Sequence, residues 1–329
     1  MKEGLNNMNS EDNNNMSRGS FLKKLGIITA AAVLTPKDLI SETSKKPENI
    51  EANRSVESSK IKEMDRHGDL HEGFSRYKIN LKFSGEKEIE GGGSFISLED
   101  AAKGKAEFIS NKLHPEFFAK GVNFDAIEKH YTNRGKKVTL VVAGAYYVKD
   151  THNIEGVAIE NGKMVGQDAP KAGSNGLLVI KNGNPEIQFV NQLPDFNAYK
   201  EEIKNAGDSM FQQTSYLRPG GKFNSTKPEK FELRFFVEGE MNGKSKKGVI
   251  NFSTSMTYTE AVETMSKMDE FKISKAIGLD TGDMSEGYFY SKQEGQGDKK
   301  NLMIDEDIAK SREAQCRNEY TNVLVFCEA

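Results

Sequence analysis

The stretch from residue 137 to residue 147 is the feature that most restricts the fold of this chain. It reads Lys-Val-Thr-Leu-Val-Val-Ala-Gly-Ala-Tyr-Tyr, an almost uninterrupted apolar run. A strand with one solvent-exposed face alternates apolar and polar residues, whereas a continuous apolar run indicates a strand that is buried on both faces. We therefore predict a central strand here, covered by helices or by another sheet.

The elements around this strand are short and mostly extended. Residues 77–83 alternate cleanly, which predicts a strand with one solvent-exposed face. The dipeptides Asn161-Gly162 and Asn182-Gly183 lie between apolar runs and predict two tight hairpins. Helices are predicted at 124–131, near 198–211, from 257 to about 268 and near 305–318. Strands outnumber helices without strict alternation, so we predict an α+β fold: a mixed, largely antiparallel twisted sheet flanked by helices, in a single domain.

Two local patterns predict a loop followed by a further helix. Residues 91–93 are three consecutive glycines, and because no lysine-serine pair follows them they predict a flexible loop and not a phosphate-binding one. Residues 97–100, Ser-Leu-Glu-Asp, have the spacing of a capping box and predict the start of a helix.

The charge balance argues against a nucleic-acid binder. The 329 residues include 46 Lys and Arg against 49 Asp and Glu, a formal net charge of −3. A dedicated nucleic-acid-binding protein carries a basic face, which this composition does not favour. The mean hydropathy of −0.65, together with clustered apolar runs, is typical of a soluble folded chain.

The N-terminal region has the pattern of an export signal. A charged segment, residues 17–24, precedes an apolar run at 25–34 that contains three consecutive alanines. The spacing resembles a bacterial twin-arginine signal with Gly19 at the second arginine position, and general secretion remains the alternative route. Ten apolar residues are too few to span a bilayer. We expect a leader and signal at 1–35, a polar linker at 36–60, a folded domain at 61–329, and a periplasmic or extracellular location without a stable membrane span.

The two cysteines and the histidines do not predict a metal site. Cys316 and Cys327 flank an apolar run near the C-terminus, and the sequence leaves open whether they form a disulfide or two thiols. His67 and His71 have helical spacing but no evident third ligand, which favours a solvated pair. We expect no metal and no other cofactor.

The residues from 276 to 285 form the segment that most suggests chemistry. An apolar strand leads directly into Asp280, and a turn that contains Gly282 and Asp283 follows before Ser285. A strand end that carries a carboxylate and a hydroxyl in one turn presents reactive groups from a rigid support. The alternative is a simple turn in which Asp280 caps the backbone and Asp283 is solvated.

In chain order, the apolar strand, the two hairpins and this turn resemble the phosphodiester glycosidase domain family over roughly residues 130 to 292. The family has Asn-Gly-Gly-Tyr-Phe or Asn-Ala-Gly-Phe-Phe at its first motif. Gly144, Tyr146 and Tyr147 match that motif in character, and Ala143 stands in place of the asparagine.

The last motif of the family is Leu-Asp-Gly-Gly-Gly-Ser. This chain keeps four of its positions, at Leu279, Asp280, Gly282 and Ser285. Thr281, Asp283 and Met284 occupy positions where glycine or serine is usual, and Arg234 falls at the arginine that precedes a family strand.

The resemblance implies an exported hydrolase that releases a sugar from a sugar-1-phosphodiester or a glycan substrate. Asp280 would stabilise or attack the oxocarbenium-like centre. Arg234, with Arg218 as the second candidate, would bind the phosphate, because a guanidinium matches it bidentately. Ser285 and the backbone at Gly282 would complete an anion-holding pocket.

The remaining candidates would line the substrate pocket. Asp283 would supply a second carboxylate or repel the phosphate. Tyr146 and Tyr147 alternate in direction, so only one of them can face the pocket. Gly144 belongs to the same motif, and His152 follows in the next loop.

A second hypothesis keeps the fold without the activity. Ala143 and Thr281 depart from the family motifs, and both departures favour a catalytically degenerate glycan- or cell-envelope-binding protein.

Overall fold

The structure is a computed structural model that describes residues 60–83, 89–119, 121–148, 151–223, 225, 228–280, 287–293, 297–302 and 321–329. The predicted leader, nearly all of the predicted linker and the predicted helix near 305–318 lie outside these residues. Among the described residues, no helix is both long enough and apolar enough to cross a membrane.

Strands make up most of the described chain. In chain order they are β1 (Lys60–Asp69), β2 (Phe74–Phe83), β3 (Ile89–Leu98), β4 (Gly104–Ser110), β5 (Val138–Ala143), β6 (Tyr147–Val148), β7 (Asn153–Ile154), β8 (Ala158–Glu160), β9 (Lys163–Met164), β10 (Gly176–Lys181), β11 (Asn184–Phe189), β12 (Ser209–Gln213), β13 (Ser215–Arg218), β14 (Gly221–Lys222), β15 (Phe231–Met241), β16 (Lys244–Met256), β17 (Phe271–Gly278), β18 (Gly287–Gln293), β19 (Gly297–Leu302) and β20 (Asn322–Glu328). The helices are α1 (Phe124–Thr132), α2 (Phe196–Ala206) and α3 (Tyr258–Ser266), with short 3-10 helices at Pro115–Phe117 and Val190–Gln192.

The strands form several sheets and not the one sheet that was predicted. The first sheet has eight strands in the order β1-β2-β3-β16-β15-β17-β13-β14. A second has the order β11-β10-β12-β8-β9, a third the order β19-β18-β5-β20-β4, and β6 pairs with β7 alone. All the ladders between these strands are antiparallel. Antiparallel sheets with a few helices agree with the α+β class.

The apolar run at residues 137–147 contains β5, a central strand of the third sheet. β5 lies between β18 and β20, and each of its residues is buried. Leu140 and Val142 belong to the apolar cluster on one side of the sheet, whereas Val141 and Ala143 belong to the cluster under α1 on the other side. The prediction of a strand covered on both faces is therefore confirmed.

Both predicted Asn-Gly hairpins are present. Asn161 and Gly162 connect β8 to β9, and Asn182 and Gly183 connect β10 to β11. All four residues have positive φ values, between 48° and 78°. Such turns need residues that tolerate the left-handed region, which is why the dipeptide predicts them. The predicted capping box of α3 is also present, with Thr257 and Glu260 hydrogen-bonded reciprocally.

The prediction of a loop and a helix at residues 91–100 is wrong. The three glycines lie inside β3, which pairs with β2 on one side and β16 on the other. A Cβ at Gly93 would lie 2.6 Å from the backbone oxygen of Asn251, so the close approach of these strands needs a glycine. Residues 97 and 98 end the strand, and a turn leads to β4 without a helix.

Candidate functional site

Three predicted site residues meet at the end of β17. The backbone N–H of Asp280 donates to the carbonyl oxygen of Gly144 at 3.0 Å, and the N–H of Leu279 donates to the carbonyl oxygen of Arg234 at 3.0 Å. Gly144 directly follows β5, and Arg234 lies within β15. Backbone hydrogen bonds thus connect the segment at Leu279 and Asp280 both to Gly144 and to β15, the strand that contains Arg234. Asp280 and Arg234 are both buried, at 8% and 1% exposure.

The backbone around Gly144 is held by two buried amide side chains. Gln213 donates from Nε2 to the carbonyl oxygen of Gly144 at 3.2 Å. Asn322 accepts from the N–H of Ala145 at 2.6 Å and donates to the Ala145 carbonyl at 3.0 Å. A Cβ at Gly144 would lie 2.6 Å from the Asn322 side-chain oxygen, so this position needs a glycine. The first motif is therefore fixed from β12 and β20 as well as from Asp280.

Arg234 is held in place by a neutral partner. Its Nε donates to the side-chain oxygen of Asn251 at 3.1 Å, and the two residues are paired across β15 and β16. Because Asn251 is uncharged, this bond orients the guanidinium without cancelling its charge. A buried, oriented guanidinium is suited to recognising a phosphate.

A cluster of tyrosines lies beside the strand end. A Cβ at Gly278 would lie 2.6 Å from the hydroxyl oxygen of Tyr146 and 2.7 Å from the ring of Tyr216, so glycine at this position lets both rings approach. Tyr216 also stacks on Tyr258, with ring centroids 5.3 Å apart. Burial raises the pKa of Tyr216 far above its ordinary value, and the neighbouring hydroxyls of Tyr146 and Tyr258 raise it further. Tyr216 therefore remains protonated and can donate a hydrogen bond.

The two tyrosines of the first motif have different surroundings. The Tyr146 hydroxyl lies beside Gly278, two residues before Asp280. Tyr147 packs against the cluster under α1 and stacks on His152, with ring centroids 6.0 Å apart. His152 is exposed and lies in the turn between β6 and β7, with a φ of 52°.

Arg218 lies away from this group. It is exposed at the end of β13, where it pairs with Gly221, and the next register pair along the strand joins Leu217 to Ala276. Asp280 is four residues beyond Ala276. Because a strand rises about 3.3 Å per residue, the position of Arg218 on the sheet is more than about 10 Å from that of Asp280. The predicted site residues Gly282, Asp283 and Ser285 lie outside the described residues.

Several residues of this group were missed by the sequence prediction. Gln213, Asn251 and Asn322 are buried amides, and each lies within a strand. A polar side chain in a buried strand is the signal that could have identified them, because such residues are buried only where they have partners. In the part of the chain that the structure describes, no group of three or more His, Cys, Asp or Glu side chains is arranged to hold a metal ion.

No protein-family model matches the chain, and none of the curated proteins matches its sequence. Among solved structures, the chain is similar to the catalytic domain of zebrafish N-acetylglucosamine-1-phosphodiester alpha-N-acetylglucosaminidase, in a form auto-inhibited by its pro-peptide. The two are 12% identical, the match covers 80% of this chain and 86% of that chain, and the TM-score is 0.49. Function is therefore inferred from the residues of this chain.

Proposed function

We propose that the protein is an exported hydrolase that cleaves a sugar from a sugar-1-phosphodiester. The observation that carries the proposal is the junction of Gly144, Arg234 and Asp280 through backbone hydrogen bonds. The family resemblance selected these three residues from separate parts of the sequence, between 46 and 136 positions apart. Their junction brings a carboxylate and a guanidinium to neighbouring strands, and these are the two groups that the reaction needs.

The proposed reaction breaks the bond between the anomeric carbon and the phosphate oxygen. The bonding electrons leave with the phosphate oxygen, and a water oxygen forms the new bond to the anomeric carbon. The products are the free sugar and a phosphate monoester, and the protons of the water pass to the new hydroxyl and to solvent or the phosphate. Asp280 stabilises or attacks the positive anomeric centre. Arg234 stabilises the negative charge on the departing phosphate.

The surroundings of these residues support the assignment. The first motif lacks the asparagine of the family, because Ala143 occupies its position, and Ala143 is fully buried. An amide nevertheless lies beside Gly144, contributed by Asn322 from β20. Tyr146 brings a hydroxyl to the same strand end, where it can hydrogen-bond a sugar hydroxyl.

The test is the hydrolysis of alkyl phosphodiesters of several sugar 1-phosphates in ¹⁸O-labelled water by the full chain. We expect the phosphate monoester to remain unlabelled, since the carbon–oxygen bond breaks and the phosphate keeps all of its original oxygen atoms. Asp280→Asn should lower kcat at least about 100-fold with little change in melting temperature, because it removes a charge needed in the transition state. Asp269→Asn, at an exposed carboxylate, is the matched control and should keep full activity.

Label found in the phosphate would contradict this reaction, and so would turnover that survives in Asp280→Asn. If wild type hydrolyses none of the phosphodiesters, the degenerate glycan- or envelope-binding protein replaces the enzyme as the proposal. The apolar Ala143 is the observation that favours this second function. Measurable glycan binding without turnover is the result it requires.

A further inference from the structure

One face of the eight-stranded sheet changes from apolar to polar on four neighbouring strands. The change lies at the same level on β3, β16 and β15, and two residues nearer the apolar side on β2. On β2, β3, β16 and β15 the apolar residues Phe74, Ile96, Val249 and Phe236 belong to one buried cluster. On each strand, the residue two positions away on the same face is polar, counting forward on β2 and β16 and backward on β3 and β15. These residues are Arg76, Ser94, Asn251 and Arg234. We call these four residues the polar row.

The polar row is continuous across the sheet. Ser94 is paired with Asn251, and Asn251 is paired with Arg234. Arg76, on the next strand, is paired with Ile96, and its side chain reaches diagonally to Ser94, donating from Nε at 3.3 Å and from a terminal nitrogen at 3.2 Å. The guanidinium of Arg234 is held by Asn251 on β16, and that of Arg76 by Ser94 on β3. Because β3 and β16 are neighbouring strands about 4.8 Å apart, the two guanidinium groups extend toward each other over this pair of strands.

The polar row also lies where this face of the eight-stranded sheet changes from buried to exposed. Phe74 is buried, Arg76 is half-buried, and Lys78, two residues further on, is exposed. The Arg76 guanidinium lies 4.5 Å from the ring centroid of Phe289 on β18, which belongs to the third sheet. Arg76 is therefore at the entrance to the space between these sheets, whereas Arg234 is buried further in.

The Arg76 charge has no anionic neighbour among the residues that the structure describes. No Asp or Glu of these residues forms an ion pair with it. Burial lowers its pKa from the ordinary value, and no carboxylate raises it. The Ser94 oxygen accepts two bonds from Arg76, and its hydroxyl proton has no acceptor in the same part of the chain. A desolvated cation beside an available donor is suited to an oxyanion.

We propose that Arg76 is the second arginine of a phosphate site that it shares with Arg234. The inference rests on the proposed function for the role of Arg234, but phosphate binding does not depend on turnover. A phosphate group carries enough charge and enough oxygen atoms to accept bonds from both guanidinium groups and from Ser94. The proposal therefore assigns the leaving phosphate of the substrate to the polar row.

The test is the binding of inorganic phosphate to the full chain by isothermal titration calorimetry. Arg76→Gln should weaken binding about 10- to 100-fold, the loss expected for a charge-assisted hydrogen bond. Arg76→Lys keeps the charge but loses the planar fork, so we expect an intermediate loss. Lys163→Gln, at an exposed lysine on β9 of the second sheet, is the matched control and should stay within about twofold of wild type. Acetate should bind at least about 10-fold more weakly than phosphate, since it offers fewer oxygen atoms and less charge.

The melting temperature of each variant shows whether it is folded, and Arg76→Lys provides the comparison if Arg76→Gln is not. Phosphate binding that is unchanged in a folded Arg76 variant would overturn the inference, as would equal affinity for acetate or the absence of phosphate binding in wild type. Phosphate binding that depends on Arg76 supports the inference even if no phosphodiester is hydrolysed. Hydrolysis with Arg76-independent phosphate binding supports the proposed function alone.

Discussion

At the scale of the residue, the site is built by matching a charged side chain with a neutral partner. Arg234 is almost completely buried, and its Nε bonds to the amide oxygen of Asn251. A carboxylate partner would hold the guanidinium more strongly but would also neutralise it. The bond to a neutral amide orients the guanidinium and does not itself neutralise it, and a charge in a buried place acts strongly on an incoming anion.

The hydrogen bond between Arg234 and Asn251 predicts the effect of Asn251→Asp. A carboxylate at this position would pair with Arg234 and compete with the phosphate, so kcat/KM on a sugar phosphodiester should fall at least about 100-fold. The free energy of unfolding should be nearly unchanged or higher, because the new charge has a partner. Steady-state kinetics together with urea denaturation measure the two effects. A variant that keeps its activity, or one that loses activity only because it unfolds, would contradict the role given to Asn251.

At the scale of the element, local signals predicted the hairpins and helix caps but not the pairing between distant strands. The Asn-Gly turns and the Thr257 capping box are specified by adjacent residues, and all are present. Residues 91–100 carry equally clear local signals for a loop and a helix, but pairing with β2 and β16 overrides them.

In the candidate site too, the sequence predicted residues that belong to a local motif and missed residues whose partners are distant in the chain. Gly144, Arg234 and Asp280 were identified through motif order. The amides of Gln213 and Asn322 carry no local pattern, because their partners lie 69 and 177 residues away.

A buried carboxyl connects the second sheet to the third. Glu160, the last residue of β8, accepts hydrogen bonds from the backbone N–H of Ser110 at 3.0 Å and from its hydroxyl. Its other oxygen lies 3.1 Å from Nε2 of His114, which is 22% exposed. Burial raises the pKa of Glu160, although Ser110 and His114 act in the opposite direction. The connection between these sheets therefore depends on the protonation of one side chain.

Glu160→Gln should stabilise the protein relative to wild type as the pH rises. A carboxyl whose pKa is raised in the folded state contributes stability at low pH and loses it as the pH rises through the folded-state value. The unfolding free energy of Glu160→Gln minus that of wild type should therefore increase as the pH rises through and above the ordinary pKa of a glutamate. Urea denaturation at several pH values measures it, with Glu240→Gln as the exposed control. A difference that is flat or falls with pH would show that the pair with His114 dominates instead.

At the scale of the whole molecule, the third sheet is assembled from distant parts of the chain. Its C-terminal strand, β20, lies between β4 and β5, so the last strand of the chain completes a sheet that contains much earlier ones. All but the last residue of β20 are buried. A strand in this position cannot leave the sheet without breaking two ladders and uncovering the apolar clusters on both faces. We therefore expect β20 to open only when the molecule as a whole unfolds.

Cys327 provides a probe of that cooperativity. It is a free, fully buried thiol on β20, and Cys316, the second cysteine, lies outside the described residues. Burial, together with the nearby Glu107, raises the pKa of Cys327 to about 12, so almost no reactive thiolate is present in the folded protein. In a Cys316→Ser variant, a disulfide reagent at neutral pH should modify Cys327 on the order of a thousandfold more slowly in the native protein than in the urea-unfolded chain.

The rate should also rise with urea along the same slope as global unfolding, because reaction requires the exposure of the whole sheet. Far-UV circular dichroism on the same samples measures that slope independently. Rapid modification without urea, or a rate that does not change with urea at low concentrations, would show that β20 opens by itself. In that case the C-terminal strand would be a separate, less stable unit, and the third sheet would not unfold together with the strands that carry Asp280 and Arg234.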